Sequence, residues 1–351
     1  MKTYKSFRLF NGRISFLIHT KALKVCLLLF GILSAVFIAS TGLGDMKISP
    51  LRVIQVFFGG GTEFEHLVVV DFRLPRMFVA LFAGMALAAA GGILQGMIRN
   101  PLASPDIIGI TGGASAAVVG FLALFSNEDN SLTVSMQWMP AAAFAGAFIT
   151  ALLVYFFAWR KGVSPVRLVL IGIGLSALMQ AVTTMVMIMG PIYRASQANI
   201  WITGTVNGSS WDNVAVLVPW AGAMLIAAFI SARNINAQEL GDELASGIGS
   251  KVQKQRFLLL VISTGLVGVA VAFAGGIGFV GLMAPHMARR LVGSSFGALL
   301  PASAFIGGIL VLLADLIGRT LFLPLEVPAG VFTAAIGAPY FIYLLFKTRN
   351  S

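Results

Sequence analysis

From Phe257 to Ala288 the chain runs for 32 residues without a formal charge, and that stretch sets the class of fold. A helix crossing ~30 Å of hydrocarbon needs roughly 20 apolar residues, and only helices or closed barrels satisfy their backbone groups there. Comparable runs recur along the sequence without two-residue alternation, which argues for helices. Hydrophobic residues make up 58% and charged residues 11%, against about 25% charged in soluble domains. Disorder needs the opposite composition. The single cysteine, Cys26, leaves no disulfide framework and no cysteine metal cluster. The expected fold class is all-α, a polytopic integral membrane protein.

The 32-residue stretch is too long for one span. Gly275, Gly276, Gly278, Gly281 and Pro285 break it, leaving a long span and a short one. Ten spans result, near Val25–Ser40, Met77–Ile98, Ile107–Phe125, Met139–Trp159, Leu168–Met189, Val214–Ile230, Phe257–Phe273, Gly278–Ala288, Leu299–Ile317 and Ala329–Phe346. With both termini cytoplasmic, 18 of the 24 cations fall inside, and Lys47, Arg52, Arg73, Arg76, Arg194 and Arg319 fall outside. A single span over Phe257–Ala288 would give 15 against 9, so the positive-inside rule favours ten. The placement of the charge also explains the net +11 without nucleic acid.

The expected organisation is a basic cytoplasmic segment over 1–24, one transmembrane domain over 25–347, and a tail over 348–351. No small-x-small cleavage site follows the first apolar run. A cytoplasmic loop at about 234–256 holds the amphipathic stretch Gln238–Ile248. Leu240, Leu244, Ala245 and Ile248 lie on one face, Glu239, Asp242 and Glu243 on the other. It reads as a lipid-interface helix or as a docking surface. Ala195–Val206, too short to span, reads as a re-entrant or interfacial helix shielded by protein or a wet cavity.

Two glycine patterns are set aside. Gly276–Gly281 matches a dinucleotide fingerprint but lacks the strand–turn–helix unit and the later acid. Gly293–Gly297 matches a nucleophile elbow without the sheet that would present its serine. His19, His66 and His286 have no ligand spacing, so no metal is expected; His286 reads as a hydrogen-bonded packing residue. The methionines are packing. Gly84, Ala88, Gly91, Gly92, Gln95 and Gly96 form a small-residue seam for close helix approach, within the subunit or between two copies.

No span carries an ionisable residue near its middle; Asp71 and Asp315 lie near ends. Ion-coupled carriers need such groups, and a membrane enzyme needs convergent acids, bases or ligands. There is no Gly-Lys dipeptide and so no P-loop. Uphill transport would draw its energy from another chain. An ion-coupled secondary transporter is the alternative, and a non-transporting scaffold a third reading.

The segment Arg73-Leu74-Pro75-Arg76, with Arg99-Asn100-Pro101-Leu102-Ala103 after the glycine-rich span, resembles the FecCD-type permease subunits of ABC importers for iron–siderophore complexes and cobalamin. Gly278-Phe279-Val280-Gly281-Leu282-Met283-Ala284-Pro285-His286 with Arg289 is similar to a second family signature. Asp315, Arg319, Glu326-Val327-Pro328-Ala329-Gly330 and Gly337-Ala338-Pro339 carry a third. Ala329 stands where the family more often has a branched aliphatic. The resemblance implies ten helices and a second permease subunit, either a homodimer partner or a paralogue. It also implies two separate ATPase subunits, an extracytoplasmic substrate-binding protein, no cofactor, and a prokaryotic plasma membrane location. The cargo it implies is a ferric siderophore, with cobalamin or haem less favoured. By the same resemblance Arg73, Arg76 and Arg319 dock the binding protein and Asn100 and Leu102 form a cytoplasmic gate. Leu240, Gly241, Ala245 and Gly249 couple to the ATPase.

Overall fold

The computed structural model describes residues 4–9, 14–44, 46–126, 133–160, 162–189 and 192–349. Asn350 and Ser351 of the expected tail, and Lys2, Arg13 and Lys161 of the expected cytoplasmic charge, lie outside the described residues.

Helix α1 (Thr20–Gly42) is followed by α2 (Pro50–Phe57) and α3 (Glu63–His66). A π-helical turn, Leu67–Arg73, carries α3 into α4 (Leu74–Ile98), so helix begins well before the expected Met77. Then come α5 (Ile110–Leu124), α6 (Met139–Ala158), α7 (Pro165–Met189), α8 (Ile192–Thr203) and α9 (Trp211–Ile230). The chain continues through α10 (Ala232–Glu239), α11 (Asp242–Gly247), α12 (Val252–Ala274), α13 (Val280–Val292), α14 (Phe296–Thr320) and α15 (Ala329–Arg349). Among the described residues, seven helices are long and apolar enough to cross a membrane. α5 is shorter than the expected Ile107–Phe125, and α13 is a 13-residue helix that follows the glycine break.

The all-α expectation needs one correction. Strands β1 (Tyr4–Leu9) and β2 (Ile14–His19) pair antiparallel, with Phe7 opposite Phe16. β-branched and aromatic residues at Tyr4, Phe7, Ile14, Phe16 and Ile18 favour extended backbone within the basic segment.

Helix α4 lies at the centre, packed against α12, α13 and α14, and its glycine seam decides how closely. A Cβ on Gly91 would stand 1.8 Å from the Gly281 carbonyl oxygen of α13, and one on Gly84 would stand 2.4 Å from that of Gly307 on α14. Without side chains the backbones meet directly, which supplies dispersion where lipid supplies no hydrophobic drive between helices. This seam therefore packs the subunit's own interior. By contrast, α7 leaves Leu170, Ile173, Leu178, Met185 and Ile188 exposed, as lipid or another membrane subunit permits.

The break between α12 and α13 satisfies its own backbone. Gly276 donates its N–H to Trp201 O at 3.2 Å, and Gly330, at the start of α15, donates to Gly204 O at 3.0 Å. The end of α8 is thus wedged between the break and α15. A non-spanning segment is stable in a membrane on those terms; the short helix expected over Ala195–Val206 runs instead from Ile192 to Thr203.

Candidate functional site

At the end of the bundle where α4 begins and α14 finishes, the three expected docking arginines come together. Arg76 donates from Nε (3.0 Å) and Nη2 (2.8 Å) to Asp315 Oδ1. Its outer edge forms a fork on Glu326, Nη1 to Oε1 at 3.1 Å and Nη2 to Oε2 at 3.0 Å. Arg319, one helical turn after Asp315, lies 3.3 Å from Asp315 Oδ2 and donates to the backbone oxygens of Ser40 and Leu43. Arg73 donates to Thr41 O (3.0 Å), Gly42 O (3.0 Å) and Met46 O (2.6 Å), clipping down the chain beyond α1. Asp315 is only 2% exposed, Arg319 6% and Arg76 14%, whereas Glu326 is 37% exposed. Asp315 was legible only as an acid near a span end. It pairs with two largely buried guanidiniums, whose charges would be costly to hold away from water without it.

At the opposite end lie the expected coupling residues, Leu240 and Gly241 in the turn between α10 and α11, Ala245 on α11 and Gly249 just beyond it. The stretch Gln238–Ile248 is not one amphipathic helix: it ends at Glu239, turns at Leu240-Gly241, and restarts at Asp242. Gly241 takes φ 104° and Gly249 φ 84°, backbone that a side chain would strain. Leu240, Leu244 and Ile248 are exposed, while Ala245 is fully buried and leaves the face expected for it. The polar side anchors the loop. Asp242 receives Arg256 Nη2 at 2.9 Å and faces Arg99 at 3.5 Å, and Glu239 pairs with Arg289 at 3.1 Å. Arg256, buried at the start of α12, also donates to Val163 O. A stiff platform thus presents three bare aliphatics.

The expected gate residues close a turn. α4 stops where Asn100 donates its N–H to Gln95 O (3.1 Å), and Asn100 Oδ1 accepts from the Leu102 N–H at 2.9 Å. The backbone before Pro101 disfavours helix, and the Asn100 side chain fixes the direction of departure. Asn100 is exposed and Leu102 half-buried at the bundle end.

Two residues depart from the sequence reading. His286 was expected to be hydrogen-bonded. Among the described residues, neither of its ring nitrogens has a partner, and the ring packs edge-on to Tyr340 at 5.9 Å. The sequence reading also missed Asp106, whose loop after α4 folds back into the bundle, where Pro105 approaches Gly281. The Asp106 carboxylate accepts from Thr111 Oγ1 at 3.1 Å and from the Phe279 N–H, holding the start of α5 to the α12–α13 break. Only the paired prolines, Pro101 and Pro105, hinted that this loop was ordered.

Similarity to known proteins accords with this architecture. The FecCD transport family matches residues 32–347. The probable siderophore transport system permease protein YfhA of Bacillus subtilis is 60% identical over 331 residues, covering 94% of this chain and 96% of that protein. The iron(3+)-hydroxamate import system permease protein FhuG of the same organism is 43% identical over 330 residues, covering 94% and 98%. Among solved structures, a metal-chelate type ABC transporter in an inward-facing conformation superposes with a TM-score of 0.79 at 29% identity, covering 93% of this chain and 99% of that one. The chain belongs to the FecCD transport family.

Proposed function

We propose that this protein is the membrane permease subunit of an ATP-driven importer of ferric siderophores. The observation that carries the reading is the 60% identity, over 331 residues, to a probable siderophore transport system permease protein. The chain's own chemistry supports it: no P-loop is present in the sequence, so the energy source is a separate ATPase pair. Ten crossings are supported by the seven long helices together with α5, α13 and α15, with both termini cytoplasmic.

In this orientation the arginine cluster faces outward and receives a substrate-binding protein. Arg73 and Arg76 supply guanidinium forks suited to its carboxylates, and Arg319 holds Asp315 in place behind them. The patch of Leu240, Leu244 and Ile248 faces the cytosol and seats the ATPase, with Gly241, Ala245 and Gly249 setting its shape. Asn100 and Leu102 line the inner exit, between this subunit and a second permease subunit.

Uptake of radiolabelled iron as a ferric siderophore is expected to stop when cells are depleted of ATP and to persist when an ionophore collapses the ion gradients. The reverse pattern identifies an ion-coupled carrier and overturns the reading. Within it, Arg73→Glu is expected to lower uptake at least about tenfold, as removal of a buried charge contact does, with normal amounts of permease in the membrane. If Arg73 were only a clip on the chain beyond α1, the variant would instead be lost from the membrane.

A further inference from the structure

Arg76 holds two carboxylates of different kinds, and the difference points to a partner. Asp315 takes the inner edge, is closed off from solvent, and cannot leave without stranding Arg319 beside Arg76. Glu326 takes the outer edge from the segment between α14 and α15, where Leu321, Leu323 and Leu325 are also exposed. Both oxygens of Glu326 meet the guanidinium end-on, at Nη1 (3.1 Å) and Nη2 (3.0 Å), a two-bond geometry in which arginine recognises a carboxylate. The pair opens on an outward cavity of about 690 Å³, also lined by Arg73, Asn207, Trp211 and Arg319.

We propose that Glu326 is an internal substitute for the docking partner's carboxylate, and that docking proceeds by exchange on Arg76. This rests on the docking reading given above. An incoming glutamate or aspartate takes the outer edge of Arg76 as Glu326 swings to water, so one fork replaces another and the buried Asp315 pair is untouched. Exchange keeps Arg76 neutralised and aligned in the empty state. It also lowers the net gain on docking, which suits a partner that must leave once per transport cycle.

The test uses the permease with its ATPases in nanodiscs. Its probe is the cargo-loaded extracytoplasmic binding protein whose deletion abolishes siderophore uptake in the same cells. Glu326→Gln keeps an acceptor on Arg76 but removes the competing charge. It is expected to tighten Kd about fivefold at low salt, the scale of a half-exposed ion pair, with the gain shrinking as salt is added. Glu326→Asp, too short to bridge both nitrogens with its charge kept, is expected to fall between. Unchanged or weaker binding in both variants, with the wild-type melting midpoint, overturns the exchange. Arg73→Glu separates the two levels. If it leaves Kd unchanged, the docking reading itself fails; if it weakens binding while Glu326→Gln does not tighten it, the exchange alone is wrong.

Discussion

Asp315→Ala is expected to destabilise the permease by about 3–5 kcal/mol, the cost of removing one partner from a buried ion pair. Two guanidiniums depend on that carboxylate. Arg76 reaches it from α4, and Arg319 from the next turn of α14. Without it, Arg319 loses its ion pair and Arg76 keeps only the outer fork on Glu326, so the two guanidiniums repel each other across the gap. Arg319 would then pull away from Ser40 and Leu43, loosening α1 as well. Asp315→Asn, which keeps one acceptor, is expected to lose less. The thermal unfolding midpoint of the purified permease in detergent measures both, and a midpoint unchanged in the alanine variant would remove the network from any account of the fold.

The second large effect belongs to the other end. Leu244→Glu is expected to lower affinity for the ATPase by about thirtyfold, the scale of an interface hot spot lost, and to stop uptake while the permease folds normally. Leu244 is well exposed on α11 between Leu240 and Ile248, so a carboxylate there meets no internal neighbour, and the penalty falls on whatever covers the patch. Ala245→Trp acts differently. Its site is fully buried, and an indole would lift α11 from the platform, altering coupling through position instead of contact. Copurification of the ATPase separates the two, since it should fail for Leu244→Glu. Full uptake by that variant would place the ATPase contact elsewhere.

Much of this architecture could be read from the chain because membrane helices follow a length rule and a charge rule. The break at Gly275–Gly281, close helix approach along the Gly84–Gly96 seam and the short helix near Ala195–Val206 all follow from residue type and spacing. What escaped, the central place of that seam included, depends on partners distant in sequence. Nothing near Asp315 predicts that Arg76, 239 residues away, would share its carboxylate with Arg319. Nothing near Asp106 says that its loop turns back to the α12–α13 break. The split of Gln238–Ile248 had a local sign, Gly241, but the leucine spacing outweighed it. Ala245 was misplaced because a periodic pattern fixes a face only while the helix continues.

The crossing of α4 and α13 at Gly91 and Gly281 has a consequence for movement. Side chains let neighbouring helices shift by hopping between alternative torsional states, each hop absorbing a small displacement. Where backbone rests on backbone there are no such joints, so a relative slide would collide main chain with main chain at once. These two rods must travel together, as a keel.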